Sequence, residues 1–160
     1  MAHWEMRKKD QEITDESELR SILREAHFVS MAMCLDDEPY LVTISHGYDA
    51  DRNAIYFHCS HEGKKIDILR RNDTVWGEAV LDKGYDGPEC KQDYATTQFR
   101  GRVSFPEDEE EKQHGLRVLL SQFGADVDKF FAKEDADKKV RDVNIGRVDI
   151  DYMSGKRSGE

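Results

Sequence analysis

The sequence predicts an α+β protein, a six-stranded antiparallel β-barrel with peripheral helices. Three observations lead there. Helix-like and strand-like patterns succeed one another as one helix, three strands, a short helix, two strands, one or two helices and a last strand. Consecutive strands are joined mostly by short turns, which favours antiparallel pairing. About six strands are too many for a flat sheet under one helical layer, and a closed or nearly closed barrel handles the edges better.

The elements follow in order. TDESELRSILREAH (14–27) opens on Asp15 with Glu18 three residues on, a capping-box pattern, and Leu19, Ile22, Leu23 and Ala26 recur at helical spacing. FVSMAMCL (28–35) reads as a strand and DDEP as its turn. YLVTISHGY (40–48) and AIYFHCS (54–60) are the next strands, so 28–60 reads as an antiparallel meander. A short helix over 64–71 turns Ile66, Leu69 and Ile68 inward.

VWGEAVL (75–81) is a strand, and DKGYDGPECKQD (82–93) is a loop rich in Gly, Pro and Asp. YATTQFRGRVSF (94–105) is a long strand whose Gly101 marks a bend or bulge. PEDEEEKQHGLRVLLSQFG (106–124) starts a helix with Pro and acids, where carboxylates oppose the dipole. Leu116, Leu119, Leu120 and Phe123 give it one apolar face, and the run EDEEE reads as its solvated start. A polar helical segment and the strand VNIGRVDIDYM (143–153) complete the pattern.

The 160 residues fit one domain, 1–160, with about 12 N-terminal and a few C-terminal residues arm-like. With 24 basic against 34 acidic residues the net charge is −10, which argues against general nucleic-acid binding and against attachment to anionic lipid. No apolar run reaches the length of a membrane span, and MAHWEMRKKDQEITD has no apolar signal region, so the expected address is cytoplasmic. Cys34, Cys59 and Cys90 are widely spaced and form no CxxC pair, so reduced thiols are expected.

Against that acidic background, IYFHCSHEGKKIDILRRND (55–73) concentrates positive charge just past a strand. Gly63, Lys64 and Lys65 fall at the start of a short helix, where free N–H groups and the positive dipole end lie. That combination suits a phosphate monoester. The competing reading is an ordinary amphipathic helix with a solvated basic face. GKK is not a Walker A loop, and no GxGxxG occurs. His46, His58, His61 and Cys59 include metal-ligand types, but alternation places His58 and Cys59 on opposite faces of a strand, against a compact cluster.

MRKKDQEI, PYLVTISHGY, IYFHCSHEGKKIDILRRND with VWGEAV, ECKQDYATTQFRGRV and VDIDYMSGK recur in the order and spacing of one known group. The chain resembles the FMN-binding split-barrel superfamily of pyridoxamine 5′-phosphate oxidase, most closely its nitroimidazole-resistance (Nim-like) branch. The resemblance implies a split β-barrel that binds FMN at the interface of a homodimer. It implies that Lys64 and Lys65, after Gly63, hold the phosphate, and that the backbone of Thr43, Ile44 and Ser45 lies along the flavin edge. His58 and Cys59 match strand-end positions beside the cofactor. Thr96 matches a polar position reaching it from the partner subunit, and Ser154, Gly155 and Lys156 match a C-terminal SGK near the same cleft. The chain departs from the family pattern where Asp73 follows Asn72 in place of proline, where Thr43 replaces a common proline, and where Trp76 replaces a smaller residue.

The activity implied is flavin-dependent reduction of a small organic acceptor, nitroaromatics among the candidates, with His58 as the substrate-side polar group. A non-catalytic FMN carrier or sensor is the alternative, as is a split barrel using haem or a deazaflavin. A true pyridoxamine phosphate oxidase is disfavoured by the lack of a second convincing basic set, although Arg100, Arg102 and Arg147 are basic residues on or near strands.

Overall fold

The computed structural model describes residues 6–159. The first few residues of the expected N-terminal arm lie outside that range. A 3-10 turn at Lys9–Gln11 leads to α1 (Glu16–Glu25). Asp15 caps α1, its carboxylate accepting the Ser17 amide at 2.8 Å, while Leu19, Ile22 and Leu23 supply the buried face. Then come β1 (Phe28–Leu35), β2 (Glu38–Ser45), β3 (Gly47–Asp49), β4 (Ala54–Cys59) and α2 (Lys64–Arg71). The chain continues through β5 (Thr74–Asp86), β6 (Lys91–Ser104), α3 (Glu109–Gln122), α4 (Val127–Phe131), α5 (Ala136–Asp142) and β7 (Asn144–Ser158).

One antiparallel sheet runs β2-β1-β5-β6-β7-β4-β3. It has seven strands, not six, because the segment expected as one strand over 40–48 is cut at His46. Only that residue separates β2 from β3, yet the two lie at opposite ends of the strand order. The sheet therefore curls round until its edges meet, and β2 and β4 come into contact across the closure. The expected meander over 28–60 is instead two hairpins, β1–β2 and β3–β4, at opposite edges.

The break has a tertiary cause. The His46 ring is fully buried, with Nε2 2.9 Å from the Leu23 carbonyl at the end of α1. Gly47 then passes so close to α3 that a Cβ there would sit 2.8 Å from the Leu119 nitrogen. Only glycine permits that approach.

The expected loop 82–93 is ladder as well. β5 and β6 stay paired out to Asp86–Lys91, with a bulge between Asp82 and Gly84. This hairpin is exposed on both faces, so its sequence lacks the alternation that would announce a strand. The register shift at Arg100 and Gly101 is the bend expected from the glycine.

Val29, Met31, Ile55, Phe57, Phe99 and Val148 are wholly buried and fill the barrel together with the apolar side of α1. β4 is buried on both faces: Phe57 points into the barrel, and Tyr56 belongs to a second cluster with Leu119 and Ile145 beneath α3. Among the described residues, no helix is long and apolar enough to cross a membrane.

Candidate functional site

Strand alternation fixes the end of β4. Phe57 faces inward, so His58 emerges on the Tyr56 side, toward α3. It lines a cavity of about 420 Å³ together with Ser45, Leu116, Leu119, Leu120, Phe123 and Val143. Cys59 is half-buried and accepts a long 3.5 Å contact from the Asn144 side-chain amide. Burial pushes its thiol up, against the pull of the Lys65 ammonium.

The chain then turns through Gly63, whose φ of +119° is open to glycine and strained for other residues. The first helical hydrogen bond of α2 runs from the Asp67 amide to the Gly63 carbonyl at 3.1 Å. No side chain caps this end, so the amides of Lys64, Lys65 and Ile66 point out beyond the helix start. The Lys64 ammonium is 3.0 Å from exposed Glu38 and 4.8 Å from the Tyr40 ring centroid. Lys65 lies 5.3 Å from the Phe57 ring centroid and has no carboxylate partner among the described residues. Arg71, at the far end of α2, turns away to Asp36 at 3.1 Å.

Of the remaining expected residues, Thr43, Ser154 and Lys156 lie on the outer side of the barrel wall, whereas Thr96 and Ile44 are buried. Thr43 shares a 3.0 Å hydrogen bond with Ser30, while Ile44 points into the core and leaves only its backbone to offer. Thr96 pairs with Lys156 in the ladder and donates its hydroxyl to the Lys156 carbonyl at 3.4 Å. The Lys156 ammonium lies 5.5 Å from the Tyr94 ring centroid. One row of the sheet runs Thr43, Ser30, Glu78, Gln98, Ser154. Four ladder steps at ~4.8 Å put the ends of that row ~19 Å apart along the wall.

A single chain thus holds two separate sets. Thr43, Ser45, His58, Cys59, Gly63, Lys64 and Lys65 gather where β2 and β4 meet, whereas Thr96, Ser154 and Lys156 belong to β6 and β7. Between the sets the wall is mixed: Ser30, Glu78 and Gln98 form a polar row, flanked by exposed apolar side chains. The adjacent row runs Leu41, Ala32, Trp76, Arg100, Tyr152, and Phe28, Leu41, Trp76 and Val80 are all exposed. Trp76 meets Tyr152 edge-on at 5.8 Å between centroids.

Two features escaped the sequence. Leu116, Leu120, Phe123 and Val143 were readable only as core-facing apolar residues, but they border the cavity. And Glu111, inside the supposedly solvated acidic run, accepts from the Tyr56 hydroxyl at 2.7 Å, from Arg52 at 2.6 Å and from Arg147 at 3.1 Å. No local pattern signals it, because its partners Arg52, Tyr56 and Arg147 all lie far away in the chain. The histidines disperse: His46 bonds Leu23, and His61 lies 2.9 Å from the Asp142 carbonyl. Among the described residues no three His, Cys, Asp or Glu side chains group as metal ligands.

A sequence profile described as pyridoxamine 5′-phosphate oxidase matches residues 15–157. Among solved structures, the chain is similar to a proposed 5-nitroimidazole antibiotic resistance protein of Bacteroides thetaiotaomicron, at 29% identity and a TM-score of 0.77, covering 93% of this chain and 90% of that one. It shares its fold with an FAD- and haem-binding protein of Mycobacterium smegmatis, at 17% identity and a TM-score of 0.79, over 94% of this chain and 74% of that one. A flavocytochrome of Azotobacter vinelandii has the same fold at 14% identity and a TM-score of 0.77, over 98% and 73%. No curated protein matches the chain. The profile spans nearly all of the barrel, from the cap of α1 to the end of β7, and on that ground the chain belongs to the pyridoxamine 5′-phosphate oxidase family.

Proposed function

We propose that this chain is an FMN-dependent oxidoreductase that reduces a small organic acceptor, nitroaromatics included, and that it works as a homodimer with FMN between the subunits. One observation carries the reading: the site residues divide into two sets on one barrel wall, with exposed Leu41 and Trp76 between them. A two-fold partner covering that wall, with exposed Leu41 and Trp76 in the contact, would bring the Ser154 and Lys156 strand of one subunit, with Thr96 beneath it, toward the Lys64 and Lys65 of the other. Membership of the pyridoxamine 5′-phosphate oxidase family supports a flavin, and the FAD- and haem-binding protein that shares the fold is consistent with one.

The residues fit the group. A phosphate needs donors and positive charge, and the start of α2 supplies uncapped amides, Gly63 and an ammonium, Lys65, without a carboxylate partner among the described residues. Lys64 would share its charge between Glu38 and the phosphate. The β2 edge at Thr43–Ser45 would present backbone groups to the ring system. Bound flavin would supply reversible two-electron transfer. His58 and Ser45 would hold the oxygen of the acceptor, and the His58 imidazole is the group placed to pass it a proton.

The test is an absorbance spectrum of the protein after FMN addition and desalting, with sedimentation of the same sample. Retained flavin bands on a particle of two chains are expected. A monomer that holds FMN would remove the shared site, and an intense Soret band without flavin would favour haem.

A further inference from the structure

The helix α3 is fourteen residues long, yet Gly115 and Leu119 are its only buried residues. Leu116, Leu119, Leu120 and Phe123 form an i, i+3, i+4, i+7 stripe, of which Leu119 alone is fully spent on the barrel. The rest of the stripe, with Val143, walls the cavity of about 420 Å³. An apolar helix face left this open marks a contact surface rather than spent core.

At the barrel end of that cavity stand two polar side chains, Ser45 and His58. Neither has a hydrogen-bond partner among the described residues. The lining holds no lysine, arginine, aspartate or glutamate. A phosphate or polycarboxylate entering here would lose its hydration against leucines with no fixed counter-charge. An uncharged molecule would lose little, and one acceptor oxygen would satisfy the hydroxyl and the imidazole. A dry cavity of ~150 Å³ holds benzene, so this one has room for a substituted ring.

We propose that the cavity between α3 and the barrel is the binding pocket for an uncharged, ring-sized organic molecule carrying one hydrogen-bond-accepting oxygen, such as an aromatic carbonyl compound. Leu116, Leu120, Phe123 and Val143 select its apolar body, and Ser45 with His58 orients its oxygen. That this molecule is also the electron acceptor rests on the flavin reading; its binding does not.

Ligand-observed NMR titrations of the full chain, with and without FMN, test the assignment using acetophenone, ethylbenzene, benzoate and phenyl phosphate. Acetophenone should bind, with both anions weaker by about tenfold or more. Leu120→Trp, which fills the cavity, should weaken acetophenone by about tenfold or more while flavin retention and circular dichroism stay unchanged. His58→Ala should weaken acetophenone roughly three- to tenfold and leave ethylbenzene as it was. Should Leu120→Trp fail to fold, Leu116→Phe narrows the same space from the preceding turn.

Benzoate binding as well as acetophenone would overturn the proposal, and so would undiminished acetophenone binding in a folded, filled variant. A change in sedimentation mass on filling the cavity would give the space to a second chain instead, and would equally overturn it. Acetophenone binding in a protein that cannot retain FMN would leave the pocket standing and remove the flavin reading.

Discussion

At the α3 end of the barrel, Arg52 and Arg147 close on Glu111 at 2.6 and 3.1 Å, and the Tyr56 hydroxyl joins them at 2.7 Å. At the start of α2, Lys65 lies over an aromatic face and meets no carboxylate among the described residues, and Lys64 meets one exposed carboxylate. Both places gather positive charge on an acidic chain. In the first, burial pushes the Glu111 carboxyl up, yet the Tyr56 hydroxyl and the guanidiniums hold it below the usual range. Burial and the bond to Glu111 push the Tyr56 phenol up to about 12. In the second, donors exceed acceptors, and the surplus is what an anionic ligand needs. Matched charge ties the fold together, and unmatched charge leaves a place for something else.

Three experiments bear on that difference. The double substitution Lys64→Ala with Lys65→Ala should lower FMN affinity about a hundredfold, two charge-assisted bonds at ~1.5 kcal/mol each, with thermal stability nearly unchanged. Flavin retained at wild-type affinity would end the phosphate assignment. Glu111→Ala should do the reverse, costing ~2 kcal/mol in urea unfolding because two guanidiniums and a phenol lose their acceptor, with no change in flavin retention. Equal damage to both properties would show that the two regions are not separate.

The smallest effect is in the pH dependence. The folded pKa of Tyr56 stands near 12, above the ~10 of an unfolded tyrosine. Its stabilising contribution is therefore complete below about pH 10 and lost as the pH rises toward 12. Burial pushes the Tyr48 phenol up as well, so in a phenolate absorbance titration Tyr56→Phe should remove one late-titrating tyrosine and leave another; an unchanged late amplitude would reassign it.

What was legible in the sequence depends on how local its cause is. The start of α2 could be read because its glycine, lysines and helix spacing lie within a few residues. The cap of α1 at Asp15 was readable for the same reason. His46 was not: its break in the strand comes from the Leu23 carbonyl and the α3 backbone at Gly47, both far away in the chain. The exposed β5–β6 arm was hidden by polar residues that pair through their backbones alone. Leu120 and Phe123 showed an apolar helix face, but no periodicity says whether such a face meets a barrel or borders a cavity. The separation of Thr43 from Ser154 follows from strand order, which the element pattern leaves open.

The position of β7 has a consequence for how the molecule is made. It is the last of the seven strands to leave the ribosome, but it lies inside the sheet, between β6 and β4. Without it the ladder falls into two unconnected pieces, β2-β1-β5-β6 and β4-β3. The nascent chain must carry both pieces, with unpaired edges open to other chains, until the final strand arrives to join them. Synthesis that stalls before residue 144 yields no smaller version of this protein; it yields a candidate for a chaperone.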